Sequence, residues 1–306
     1  MQEAIEAMKI AFTKLSSGDS NVPVRTNLAV SKQTRSLMMP VSIADYPTFG
    51  LKAVSLTADN VDRGLPMIHG LMLLFDSETG QPRCLIDGEF LTALRTGAAS
   101  GLATDLLADP EARHLIVFGS GIQATAQVEA VVTVRPIESV TIVSRDPLHA
   151  ADFCDSLRRF GGFEVTCTSD STVIERSDVI CTATPSTEPL FASSALPEQC
   201  HINAIGSYRD DMCEIEPESL SAMSTFVDQR VASLKEAGEI VQAIRCRAIQ
   251  ESDVIELGLL LSSGEAMDVK KRTLFKSVGN AVQDLVIADA VFSRANRLEI
   301  GHQIEM

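Results

Sequence analysis

Apolar residues recur at Met1, Ala4, Ile5, Met8 and Phe12, the three-to-four spacing of an amphipathic helix rather than of a signal peptide. Alternation follows. Val22, Val24, Thr26, Leu28 and Val30 share one face of a strand over Val22–Val30, with further strands over Leu51–Leu56, Gly70–Phe75 and Leu85–Asp87. Asp76-Ser77-Glu78-Thr79-Gly80 has the composition of a hairpin connection. An Ala-rich helix over Leu91–Leu107 ends at Asp109-Pro110.

From residue 113 the rhythm changes. Short apolar runs at His114–Phe118, Ser139–Val143, Phe163–Cys167, Val179–Thr182, His201–Ile205 and Thr225–Asp228 alternate with helical patterns, among them Ala124–Val132 and His149–Phe160. Such runs suit strands buried on both faces, and the alternation is that of a parallel sheet covered by helices on both sides. Thr273–Ala295 reads as one continuous amphipathic helix, whose return to the first domain would make that domain discontinuous. The expected fold is therefore α/β, a Rossmann-type doubly wound sheet over 112–274. A second, α+β domain is expected from 1–111 with 275–306.

Charge narrows the partners. Forty-one acidic residues against 26 basic ones give a net charge of −15, which repels phosphate backbones and anionic headgroups and excludes nucleic acid and membrane surfaces as partners. No apolar run is long enough to span a bilayer. Seven cysteines without a Cys-x-x-Cys pair point to reduced thiols in a cytoplasm, and neither to zinc nor to disulfides.

The chemistry-bearing motif is Gly119-Ser120-Gly121-Ile122-Gln123-Ala124, a Gly-x-Gly-x-x-Ala turn between an apolar strand and a helix. Gly119 permits the tight turn, Gly121 lets backbone approach a pyrophosphate, and Ala124 keeps the helix close to the strand. The helix N-terminus faces the phosphates with free N–H groups. The next strand ends Ser144-Arg145, where NAD-binding folds place an acid on the ribose; an Arg there suits the 2′-phosphate of NADP(H), with NAD(H) the alternative if Asp146 holds the ribose. Thr182, Ala183 and Thr184 end a later strand on the nicotinamide side, where a Thr is also commonly structural.

Taken in order, Val22-Pro23-Val24-Arg25-Thr26, Phe49-Gly50-Leu51-Lys52, Ala93-Leu94-Arg95-Thr96-Gly97-Ala98-Ala99-Ser100, the glycine turn, His201-Ile202-Asn203-Ala204-Ile205-Gly206 and Phe275-Lys276-Ser277-Val278-Gly279 resemble the ornithine cyclodeaminase/mu-crystallin family over nearly the whole chain. The resemblance implies a homodimer formed through the first domain and a substrate carboxylate held by Arg25, Lys52 and Arg95. It also implies cofactor contacts from Thr96, Ser207 and Gly279. The residues themselves allow other roles. Arg25 falls on the strand face opposite Val22 and Val24, where solvent suffices; Lys52 shares a face with Val54 and Leu56. Arg95 falls in the first turn of its helix, a poor place for a cation unless it serves an anion. Gly279 also suits close helix packing.

Cyclodeaminases of the family carry an Asp two residues past the Gly matching Gly206; here that position is Tyr208. Asp210 and Asp211 read as caps of a helix starting near Glu214. The loop is more similar to that of the ketimine-reductase branch, which implies NAD(P)H-dependent reduction of a cyclic imino acid, to L-proline or L-pipecolate. The imine nitrogen then needs a proton, from Lys52, His69 or water. The alternatives are an ornithine cyclodeaminase, an alanine-type amino-acid dehydrogenase and a non-catalytic binder.

Overall fold

The computed structural model describes residues 1–263 and 270–304. The chain divides into two compact units, Glu6–Arg95 with Asn280–Met306, and Met1–Ile5 with Thr96–Gly279. The divisions fall inside helices α1 (Gln2–Ser16) and α2 (Gly88–Leu107) and after Gly279.

The first unit is built on an antiparallel sheet of β1 (Ser20–Asn21), β2 (Thr26–Ala29), β3 (Thr34–Ile43), β4 (Thr48–Thr57), β5 (Ile68–Asp76) and β6 (Pro82–Asp87). The order is β1-β3-β4-β5-β6, with β2 also on β3. Strand β4 is central, and its register sets Lys52 beside Met39 and Met72. Partners in register share a face, and successive residues alternate. Lys52 therefore joins the fully buried Met72 and Leu74. A Cβ on Gly50 would sit 2.5 Å from Met72 Cε and 3.4 Å from Leu285 Cδ1, so this face is closed by the last helix, α8 (Ala281–Arg297). On the other face Phe49 stacks on Phe75 at 5.1 Å, and Phe49, Leu71 and Leu85 are exposed.

The expected strand Val22–Val30 is broken. Pro23 offers no N–H to a ladder, Val24 is 90% exposed, and pairing resumes only at Thr26. The ten-residue β3 went unpredicted, its Met- and Pro-containing sequence lacking a clean alternation.

The second unit holds an all-parallel sheet: β7 (His114–Phe118), β8 (Ser139–Val143), β9 (Glu164–Thr168), β10 (Val179–Thr182), β11 (Cys200–Ala204), β12 (Ser224–Val227), β13 (Val254–Glu256) and β14 (Arg272–Lys276). The order is β13-β12-β14-β11-β10-β7-β8-β9. Leu115 and Val117 pack on one face against α3 (Ile122–Val134) and α4 (Pro147–Arg158), which contribute Val128, Val131, Phe153 and Leu157. Ile116 and Phe118 pack on the other face, with Ile215, Leu220, Ile240 and Ala243. The unit also carries, among the described residues, the short helices α5 (Arg230–Glu236), α6 (Gly238–Arg245) and α7 (Leu257–Ser263). This is the doubly wound α/β architecture, beside a separate antiparallel unit.

The single helix expected over Thr273–Ala295 is a strand followed by a helix. Thr273–Phe275 pair in register with His201–Asn203 on one side and Ser224–Phe226 on the other. A short apolar run does not distinguish strand from buried helix by period alone. The break comes at Gly279 (φ +77°) and at Asn280, whose side chain caps α8 by accepting from Val282 N and Gln283 N. Nor does a helix start near Glu214; a short 3₁₀ turn begins at Pro217 instead. No helix among the described residues is long and apolar enough to cross a membrane.

Candidate active site

Strand β7 delivers the chain into the glycine turn. Gly119 has φ +110°, and a Cβ there would lie 2.6 Å from Ala183 O, so only glycine fits. A Cβ on Gly121 would meet nothing within 4 Å, which leaves that backbone open to approach. Gly121 begins α3 without any side-chain cap, while Ala124 is fully buried against the sheet. Ile122 is exposed and Gln123 half-buried in the first turn. Uncapped amides over an open glycine suit a pyrophosphate. A cavity of about 560 Å³ lies over the turn, lined also by Ser144, Arg145, Ala183 and Thr184. These residues fit a dinucleotide.

Asp146 lines the same cavity as Arg145, with one carboxylate oxygen engaged at the start of α4. That oxygen, Oδ1, accepts from Leu148 N and His149 N, and Arg145 is the cation on the cavity wall. His149, which sequence reasoning passed over, brings Nδ1 to 2.9 Å from Ser120 Oγ, itself 3.3 Å from Ser144 Oγ.

The C-terminal ends of β10, β11 and β14 meet around two buried acids. Glu214 Oε1 accepts from Thr184 N (2.8 Å) and Thr184 Oγ1 (2.7 Å), and its Oε2 from Thr182 Oγ1 (2.8 Å) and Gly206 N (2.9 Å). Glu239 Oε1 accepts from Glu214 N (2.9 Å) and its Oε2 from Ser207 Oγ (2.6 Å); Lys276 Nζ donates to Ser207 Oγ (2.6 Å) and stands 3.5 Å from Glu239. All of Glu214, Glu239, Lys276 and Ser207 are fully buried. Burial pushes the Glu214 carboxyl upward, against the Lys276 ammonium. The hydroxyls of Thr182 and Ser207 are thus committed to the protein. Tyr208 emerges beside them, 40% exposed, with the Arg209 guanidinium 5.8 Å over its ring. Asp211 pairs with Arg209 at 2.8 Å, and both Asp210 and Asp211 are exposed, capping no helix. Gly279 N donates to Asp228 Oδ2 (2.7 Å) where β14 ends.

In the antiparallel unit, Lys52 is 3% exposed and donates to Asp284 Oδ1 (2.7 Å) and Thr92 Oγ1 (2.6 Å). Arg95 Nε stands 3.4 Å from the same Asp284 Oδ1, and Arg95 Nη1 donates to Gln283 Oε1 (3.1 Å). Helix α2 starts at Gly88, so Arg95 lies beyond the first turn and the dipole argument does not apply to it. Burial lowers the Lys52 pKa, Asp284 opposes that, and Arg95 adds to it. Arg25 is half-buried and precedes β2 instead of lying mid-strand, and Thr96 is buried on α2. His69 is exposed on β5 opposite Ser55, out of phase with Lys52, so the two project from opposite faces of the sheet. Asp284 was missed because a single acid in Ala281–Ala288 looks like the polar stripe of a helix; the whole run is buried, which is the signal that marks it.

Comparison with known proteins gives a consistent picture. The model of the ornithine cyclodeaminase/mu-crystallin family matches residues 1–299. A Delta(1)-pyrroline-2-carboxylate reductase of Bacillus cereus is 34% identical, the match covering 100% of this chain and 95% of that protein. The ketimine reductase mu-crystallin of Mus musculus is 32% identical, over 94% and 90% of the two. The solved Delta(1)-pyrroline-2-carboxylate reductase of Thermococcus litoralis, in complex with NADH and L-proline, is similar at a TM-score of 0.91 and 33% identity, over 99% and 95%. An archaeal alanine dehydrogenase dimer with bound NAD gives 0.90 and 30%, over 100% and 94%.

Proposed function

The chain belongs to the ornithine cyclodeaminase/mu-crystallin family, and from that we propose that it reduces a cyclic ketimine carboxylate with a nicotinamide cofactor. The preferred substrate is Δ1-pyrroline-2-carboxylate, giving L-proline; Δ1-piperideine-2-carboxylate, giving L-pipecolate, is its six-membered counterpart. The observation that carries the reading is the buried cluster in which Lys52 and Arg95 share the one carboxylate of Asp284. Two cations against one acid leave one positive charge in a dry setting, the complement of one substrate carboxylate. Arg25 is the third ligand in this reading, by family resemblance.

The bound nicotinamide supplies a hydride to the C=N carbon. Arg95, together with the charge of Lys52, orients the carboxylate so that this carbon is presented in one pose. Lys52 protonates the imine nitrogen; His69, on the far face of the sheet, is set aside for that role. A cyclodeaminase reading is disfavoured by Tyr208, because the nearby Asp210 and Asp211 are exposed and Asp211 is paired with Arg209. The test sets NADPH and freshly generated Δ1-pyrroline-2-carboxylate beside ornithine with NAD and an ammonia assay. Proline formed from the imine without ammonia from ornithine is expected; ammonia from ornithine would overturn the assignment.

For the cofactor, NADP(H) is preferred over NAD(H), supported by Arg145 on the cavity wall. Arg145→Ala removes a charge-assisted partner of the 2′-phosphate, so it is expected to raise KM for NADPH by about tenfold or more and to leave KM for NADH unchanged. Equal effects on both would place Arg145 outside the 2′-phosphate site. The exposed apolar face carrying Phe49, Leu71 and Leu85 supports a homodimer through the antiparallel unit. The seven free thiols suit a cytoplasmic setting.

A further inference from the structure

Asp284 stands out as a buried acid to which the reaction scheme gives no task. Thr92 Oγ1 donates to Gly88 O at 2.5 Å, so its lone pair faces Lys52, and Lys52 must be the donor in both of its contacts. Two of the three ammonium hydrogens are therefore directed at Thr92 and Asp284, and one is left over. The charged groups facing Lys52 are Asp284 from α8 and Arg95 from α2; the strands on either side set only Met39 and Met72 beside it. At 3% exposure, burial and the neighbouring Arg95 both pull the Lys52 pKa down, and Asp284 opposes them.

We propose that Asp284 is the positioning residue for Lys52, holding it charged and aimed so that its third hydrogen is the one given to the substrate. This rests on the reading of Lys52 as the acid of a ketimine reduction. In that step the hydride pair forms the new C–H bond, and the C=N π pair moves onto nitrogen. Nitrogen takes the proton from Nζ. Lys52 is left as a neutral amine still hydrogen-bonded to Asp284, and regains its proton from solvent.

The test compares the full-length protein with Asp284→Asn and Asp284→Glu, each labelled with ¹³C,¹⁵N-lysine. The Lys52 signal is assigned by its loss in Lys52→Arg and then titrated. In Asp284→Asn its midpoint is expected to fall by at least about one pH unit. The alkaline limb of the kcat/KM profile should move with it, and kcat/KM should drop about a hundredfold, while NADPH binding followed by fluorescence stays within about twofold. Asp284→Glu, which keeps the charge, should restore much of the limb. An unmoved midpoint in Asp284→Asn, whatever happens to turnover, would reduce Asp284 to a packing residue and overturn the proposal. So would a Lys52 midpoint at or below neutral pH in the unsubstituted protein, a result that needs no variant to fold. Failure of the unsubstituted protein to reduce the imine would sink the function, and the titration alone would then decide the pair.

Discussion

The two units each bury a knot of charge, and they finish it differently. Around Glu214 and Glu239 every carboxylate oxygen has a donor, and the Lys276 ammonium is turned inward to Ser207. Around Asp284 the pairing is left open. Arg95 Nε has no well-formed hydrogen bond, and Gln283 Nε2 has none either. Buried polar groups are ordinarily satisfied, so a leftover donor calls for an explanation where a completed network does not. The completed knot ties three strand ends and the stub of the Tyr208 loop into a scaffold. The open knot is where a ligand has something to complete.

Substitution of the central lysines sharpens that contrast. Lys52→Met is expected to lower kcat/KM for the imine by about 10⁴-fold, near the upper end for removal of a general acid, since a carboxylate ligand goes with it. A fall of under tenfold in steady-state assays would break the link between the open knot and chemistry. Lys276→Met should act on stability instead, costing about 3–5 kcal/mol in urea unfolding because Glu239 is left buried without its cation. The double variant Lys276→Met/Glu239→Gln should recover most of that; no recovery would mean that packing, not charge, holds the knot.

The last effect, spread over several pH units, concerns a neutral counterpart. His201 is buried with Nδ1 2.8 Å from Thr273 Oγ1 and Nε2 3.1 Å from Asn203 Oδ1, and burial pushes its pKa down from 6.5 to about 3. The unfolded chain takes up this proton at higher pH than the folded one. Stability is therefore complete above about 6.5 and declines as pH falls toward 3, by about 1.4 kcal/mol per unit at most. His201→Gln should flatten that part of the urea-midpoint profile, and an unchanged slope would assign the acid sensitivity to other groups.

The parallel unit was legible because its strands are short apolar runs between helices; His114–Phe118, Ser139–Val143 and Val179–Thr182 stand where the sequence puts them. The glycine turn was legible for a related reason, since backbone geometry there admits few residues. β3 and β14 were not. The first carries Pro40 and two methionines in a half-buried strand, and the second is a short buried segment running toward a helix of similar polarity. At the site, sequence reasoning reached cations and hydroxyls but not the acids that use them. Asp284, Glu214 and Glu239 lack any motif of their own, and their importance comes only from burial, which long-range packing creates. Thr182 and Ser207 show the converse, since their hydroxyls serve those acids and are not free for a cofactor.

Strand β14 fills the slot between β11 and β12 although it comes last of the eight in the chain. On a ribosome, those two neighbours are made some fifty to seventy residues earlier, and each must wait with an unpaired ladder edge. The sheet cannot seal until Lys276 has left the exit tunnel. Nascent chains of this protein therefore pass through a stage with a gap in the middle of the sheet. A shielding chaperone would matter most at that stage, and a premature stop ahead of Arg272 would yield a sticky fragment rather than a smaller working domain.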